Sequence, residues 1–203
     1  MFENGKKYLR FKNNTDDLVM NSKEAIFEMN NFKYFDMSAW GKLYKTELFN
    51  NIKFPEGKLS EDYFIMYLLF DKANKIVYNS KPLYYYLQRN GSISKGKKIN
   101  LDFIEAAYNQ MIYIENKYPD LKRCVRAAYV SSNMTVYNIV LKNDGKYSKE
   151  TLKKLQDEVK ANYNFIKGYN YWNILKKIQA FLFVKCIPIY NILFKIFKMI
   201  KKV

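Results

Sequence analysis

The sequence predicts an α+β front followed by an all-α rear, and three observations carry that reading. Short β-branched and aromatic runs bounded by turn residues occur only before residue 97. Behind them, long stretches repeat apolar residues at helical spacing. Beyond Glu158 the chain has nine lysines and no acid, which marks off a basic tail. The expected divisions are therefore 1–97, 98–165 and 166–203.

Taken in order, Asn4-Gly5 reads as a turn and Tyr8 to Phe11 as a short strand. That strand has no obvious partner in the sequence, as expected of a chain that starts inside a larger fold. Ser22 is expected to cap a helix over 23–30, with Ala25, Ile26 and Met29 on one face. Leu43 to Asn50 reads as another short helix, and Pro55-Glu56-Gly57 as a turn. Ser60 is expected to cap a helix over 61–73 that is apolar almost all round and hence largely buried. Ile76 to Asn79 and Leu83 to Gln88 read as strands flanking the turn Ser80-Lys81-Pro82. Helices follow over 100–117, 120–142 and 148–162, the last two separated by Asn143-Asp144-Gly145.

Composition excludes several functions. With 203 residues, 49% of them hydrophobic, the chain can bury a core. Its 19 Tyr, 15 Phe and 2 Trp are too many aromatics for a solvated coil. The formal charge of +16 comes from 31 Lys and only 4 Arg. Base readout leans on the planar fork of Arg, so nucleic-acid binding is the weakest of the readings and no nucleic-acid partner is expected. The absence of His rules out Ser-His and Cys-His catalysis and any His-ligated metal. Cys124 and Cys186 are lone thiols with neither disulfide nor zinc spacing. A reducing cytoplasm is the simplest compartment, and no signal peptide is visible after Met1.

One stretch concentrates motifs. It runs Ser38-Ala39-Trp40-Gly41-Lys42-Leu43-Tyr44-Lys45, then Phe54-Pro55-Glu56-Gly57, then Ser60-Glu61-Asp62-Tyr63-Phe64. It closes with Tyr84-Tyr85-Tyr86-Leu87-Gln88-Arg89-Asn90-Gly91-Ser92. In order and spacing this resembles the acceptor half of a family 2 glycosyltransferase, an inverting enzyme of the GT-A type that transfers a sugar from a nucleotide-sugar to a hydroxyl. The resemblance covers about residues 3–97. It implies the C-terminal part of a GT-A-like α/β fold with a few short strands, followed by the helical region. It also implies a nucleotide-binding half, ending in an Asp-x-Asp metal motif, ahead of Met1. The expectation is a truncated product or half of a split enzyme, inactive until a companion chain supplies that half.

The resemblance assigns roles residue by residue. Asp62 becomes the general base and Glu61 its support; by composition alone, the same Ser60-Glu61-Asp62 suits a plain capped helix start. Arg89, with Gln88 and Ser92 beside Gly91, would meet the donor diphosphate, where the alternative is a strand end and an ordinary surface charge. Trp40 and Lys42 would line the floor where sugar and acceptor meet, or else serve as core and solvent-facing side chains. The Tyr84-Tyr85-Tyr86 run reads as an alternating half-buried strand. The complete family enzyme takes a divalent metal, Mg or Mn. Several relatives place a His near the Arg89 loop as a metal ligand and this chain has none, so no metal ligand is assigned here; Gln88 is at best a weak substitute.

The tail carries a separate expectation. Asn191, Lys195, Lys198 and Lys202 form one polar stripe at helical spacing, with apolar residues around the rest of the wheel. Residues from Trp172 to Lys185 repeat the pattern, and Pro188 separates the segments. The longest uncharged run, Cys186 to Phe194, is far short of the roughly 20 residues a membrane span needs. A Lys-only polar face predicts that 170–203 lies on an anionic membrane surface, the alternative being a pair of helices packed on the protein's own body. The expected place is therefore the inner face of a bacterial cell membrane, and the expected acceptor a cell-surface polysaccharide, teichoic acid or lipid-linked sugar. The alternative is a non-catalytic membrane-surface protein that keeps the same scaffold.

Overall fold

The computed structural model describes residues 2–3, 6–9, 16–87, 99–142 and 149–201. The chain divides into two compact units, Met1–Lys98 and Ile99–Val203. The first is α+β and the second all-helical.

In the first unit, β1 (Phe2–Glu3) pairs antiparallel with β2 (Lys6–Lys7). The pairing falls earlier than the expected strand: Tyr8 and Leu9 carry no regular structure, and residues 10–11 lie outside the described residues. A second antiparallel pair joins β3 (Leu18–Met20) to β4 (Ile76–Tyr78), with Val19 opposite Val77. Asp17 fixes the end of that pair by accepting hydrogen bonds from the Ser80 amide at 2.9 Å and the Ser80 hydroxyl at 3.2 Å.

Helix α1 (Ser22–Asn30) starts one residue earlier than expected, because Asn21 and not Ser22 is its cap. The Asn21 side chain accepts from the Glu24 amide at 3.0 Å, and Glu24 accepts from the Asn21 amide at 2.9 Å. This reciprocal arrangement satisfies two otherwise orphan donors. The Ser22 hydroxyl instead donates to the Ala73 carbonyl at 2.6 Å, at the end of α2 (Glu61–Lys72). α1 and α2 bury Ala25, Ile26 and Met29 with Ile65, Met66 and Leu69 as the core of this unit. The expected helix over 43–50 is a single 3₁₀ turn, Thr46–Phe49. Lys72 pins it by donating to the carbonyls of Glu47, Leu48 and Asn50 at 3.2, 3.3 and 2.8 Å. That supplies a cation to carbonyls left without intrahelical donors.

The second unit is built on α4 (Lys122–Lys142), which packs between α3 (Asp102–Lys117) and α5 (Lys149–Ile166). One polar cluster ties all three. The Arg126 guanidinium donates to both Glu115 oxygens at 2.9 and 3.0 Å and to Asn162 Oδ1 at 2.7 Å, and it lies 4.1 Å from the Phe165 ring centroid. Lys122 adds a second cation to Glu115 at 2.6 Å. Arg123 donates to the carbonyls of Phe165 and Lys167, where α5 ends and its dipole favours a cation. Helices α6 (Ile174–Lys185) and α7 (Ile187–Lys201) follow. They dock through Phe183 and Tyr190, whose rings meet Tyr137 of α4 edge-on at 4.7 and 6.3 Å. Pro188 lies in the first turn of α7, where its missing N–H costs no intrahelical bond.

Candidate functional site

Asp62 is the second residue of α2. The amide donors left unpaired at a helix start favour an anion at this position. Its carboxylate accepts from the Tyr63 amide through Oδ1 at 2.9 Å and from the Ala39 amide through Oδ2 at 3.2 Å. The second bond spans 23 residues and brings the Ser38-Ala39-Trp40 segment to the helix start. Ser60, expected as the side-chain cap, occupies the cap position without making that bond. It adopts a left-handed backbone at φ 56°, uncommon for a residue with a Cβ. The entry to Asp62 is thus a strained corner held by its surroundings.

Burial is the largest influence on Asp62 and pushes its pKa above the ordinary Asp value. The neighbouring charges of Glu61 and Asp36 push the same way, against the bonds from Ala39 and Tyr63. Asp36 had no motif to mark it, yet it is 5% exposed and accepts from the Ser38 amide at 3.0 Å and from the Ser38 hydroxyl. Tyr44, part of the Ser38–Lys45 motif but assigned no role from it, donates to the Ala39 carbonyl at 3.1 Å and contacts Met66 Sδ at 3.5 Å. Burial, then the Asp62 charge, raise its phenol pKa well above the usual value, so it remains a neutral donor.

The Ser38–Tyr44 loop carries the remaining described candidates. Gly41 turns the chain at φ 70°, in the left-handed region that favours glycine. The Lys42 ammonium then reaches back to donate to the Ser38 carbonyl. Trp40 stacks on Tyr86 with centroids 4.5 Å apart and rings 16° from parallel, and on Tyr84 at 5.4 Å and 23°. The expected strand over 83–88 is absent across its described part, 83–86, and residue 87 forms an isolated bridge. Tyr84 and Tyr86 both meet Trp40, but Tyr84 is 52% exposed against 66% for Tyr85, so the expected half-buried alternation is not seen. Glu61 is exposed beside Asp62.

The geometry therefore brings Asp62, Trp40, Lys42 and Tyr84–Tyr86 into one neighbourhood and adds Asp36 and Tyr44. Gln88, Arg89 and Ser92 lie outside the described residues. Among the described residues no group of three or more His, Cys, Asp or Glu side chains is placed to hold a metal ion. What the arrangement offers is a half-buried carboxylate of raised basicity beside an aromatic surface and an ammonium group.

No family model matches the chain, and no solved structure matches it significantly. Glycosyltransferase GlyA of Streptococcus pneumoniae serotype 4 is 41% identical over 73 residues. That match covers 36% of this chain and 10% of GlyA.

Proposed function

We propose that this chain supplies the acceptor side of an inverting glycosyltransferase of family 2 and GT-A type, with Asp62 as general base. The observation that supports the reading is the Asp62–Ala39 bond, which joins the Glu-Asp helix start to the Trp40 loop. The partial likeness to a protein named a glycosyltransferase supports the coarse part of the reading, sugar transfer.

In this proposal the acceptor hydroxyl donates to an Asp62 oxygen. Each carboxylate oxygen has two lone pairs, so the bonds from Ala39 and Tyr63 leave acceptor capacity. The hydroxyl oxygen attacks the anomeric carbon of a nucleotide-sugar from the side opposite the diphosphate. The new C–O bond forms as the bond to the diphosphate oxygen breaks, which inverts the anomeric centre, and the hydroxyl proton passes to Asp62. A base of raised pKa is better matched to that transfer near neutrality than an ordinary Asp, and such a base contributes about 10²–10⁴-fold in rate. Trp40 offers an aromatic face to the C–H face of a sugar ring. Lys42 places positive charge beside a phosphate-bearing or anionic acceptor. Arg89, Gln88 and Ser92 are assigned to the departing diphosphate, whose charge a guanidinium stabilises. The acceptor class is a cell-surface polysaccharide, teichoic acid or lipid-linked glycan.

The test is transfer from a nucleotide-sugar to a glycan acceptor, with a nucleotide-binding half supplied alongside the chain. Asp62→Asn is expected to lower the rate by about 10²–10⁴-fold while acceptor binding survives. An Asp62→Asn rate equal to wild type removes Asp62 from the base role. Absence of transfer by wild type under every donor favours a binding protein on the same scaffold.

A further inference from the structure

We infer that the outer face of the α6–α7 pair docks on the surface of an anionic lipid bilayer. The fold decides which face is available. α6 turns Ala180 and Phe183 inward and lays the Lys176 ammonium 4.9 Å from the Trp172 ring centroid. α7 buries Tyr190 and turns Asn191 inward, where it accepts from the Tyr137 hydroxyl at 3.1 Å. Asn191 therefore belongs to the docked side, and the polar stripe expected from the sequence begins facing the protein.

At about 100° per residue, Ile174, Ile178, Phe181 and Lys185 share the opposite side of α6, and all four are exposed. Ile189, Ile192 and Ile196 likewise share one exposed side of α7, with Lys195 exposed on its flank. A wide apolar face directed away from the protein's own core needs another surface to cover it.

Charge selects the occupant. Nine lysines and no acid follow Glu158, so a second copy would set lysine against lysine with nothing to pair. A bilayer rich in anionic headgroups supplies the counter-charge and accepts the apolar side chains in the same plane. None of the helices among the described residues is long and apolar enough to cross a membrane, which suits a pair lying in the interface. The inference is independent of the sugar-transfer reading.

The test uses the full chain in flotation with phosphatidylcholine vesicles containing roughly a third phosphatidylglycerol, and with pure phosphatidylcholine vesicles. Wild type is expected to float with the anionic vesicles, to detach in high salt, and to bind pure phosphatidylcholine at least about tenfold less. Ile178→Glu/Ile192→Glu and Lys185→Glu/Lys195→Glu are each expected to lose about tenfold or more of that binding. Both change exposed positions, and unchanged circular dichroism and melting show that they fold. Equal flotation of folded variants and wild type overturns the inference, as does failure of wild type to float. A dimer that Ile178→Glu/Ile192→Glu dissociates overturns it in favour of a second copy.

Discussion

The Asp62 carboxylate and the Ala39 amide meet at 3.2 Å across 23 residues of sequence. This bond explains how a helix start and a loop become one site: the helix fixes the carboxylate, and the loop end that the carboxylate holds carries Trp40. It also sets an electrostatic conflict, because the same burial that shields the bond raises the Asp62 pKa.

That conflict predicts a separation of stability from activity. A carboxylate whose folded pKa is raised stabilises the fold when protonated, and the contribution is lost as pH rises through the folded value. Asp62→Asn removes the titrating charge but turns an amide NH2 toward one of the two backbone donors, Ala39 or Tyr63. Relative to that variant, wild type is therefore expected to gain melting temperature as pH falls toward the ordinary Asp value near 4. Thermal melts of both proteins across that range provide the check.

Removing the ring under Trp40 should loosen the loop locally. Tyr86→Ala is expected to cost about 0.5–1.5 kcal/mol beyond its lost area, the usual worth of an aromatic pair. In a Trp172→Phe background Trp40 is the sole indole. A red shift of its emission in Tyr86→Ala, at unchanged helical content, is the expected signature; an identical spectrum contradicts the stacking.

The two left-handed positions flanking the site predict opposite signs. Gly41→Ala is expected to destabilise by about 1 kcal/mol, since φ 70° penalises a Cβ although the nearest atom, on Tyr84, would sit at an ordinary 3.8 Å. Ser60→Gly relieves the same penalty and should stabilise by up to about 1 kcal/mol. Urea unfolding of the two variants measures both.

In the helical unit, Glu115 titrates the other way. Burial pushes its pKa up, but the bonds and charges of Arg126 and Lys122 together hold it below the ordinary Glu value. Its contribution is present above that ordinary value, near 4.3, and is lost as pH falls through the lowered one. Arg126→Leu leaves Glu115 with Lys122 alone and takes the Arg126 donor from Asn162 Oδ1, and is expected to cost on the order of 2–3 kcal/mol at pH 7 by urea unfolding. The loss should narrow in acid.

Where the sequence was legible, one residue type had one use. The apolar run behind Ser60-Glu61-Asp62 gave α2 to within a residue of its observed end, and the long periodic runs gave α3, α4 and α5. The Asn21 cap of α1 is ambiguous in the sequence because Asn21 and Ser22 are equally good caps by type, and only Glu24, which accepts from the Asn21 amide, decides between them. β3 escaped because three residues with an exposed Val19 at the centre show no apolar alternation. The expected strand at Leu83 failed for a tertiary reason: Tyr84 and Tyr86 are held by Trp40 and not by a ladder.

The site was legible by half. Asp62 and Trp40 stood out as motif residues, whereas Asp36 and Tyr44 act through the fold. Asp36-x-Ser38 is a turn-forming pattern that could have flagged a fixed carboxylate. Nothing local marks Tyr44 as a partner of Ala39 and Met66. Asn191 misled because helical spacing gives a face but not its direction; Tyr137 sets the direction.

The central claim is that the Asp62 carboxylate takes the acceptor proton, and the pH dependence of kcat/KM for transfer tests it most directly. The account predicts an acid limb at a pH above the ordinary Asp value, and a low, flat rate over the same range for Asp62→Asn. An acid limb of unchanged position and height in Asp62→Asn would contradict it.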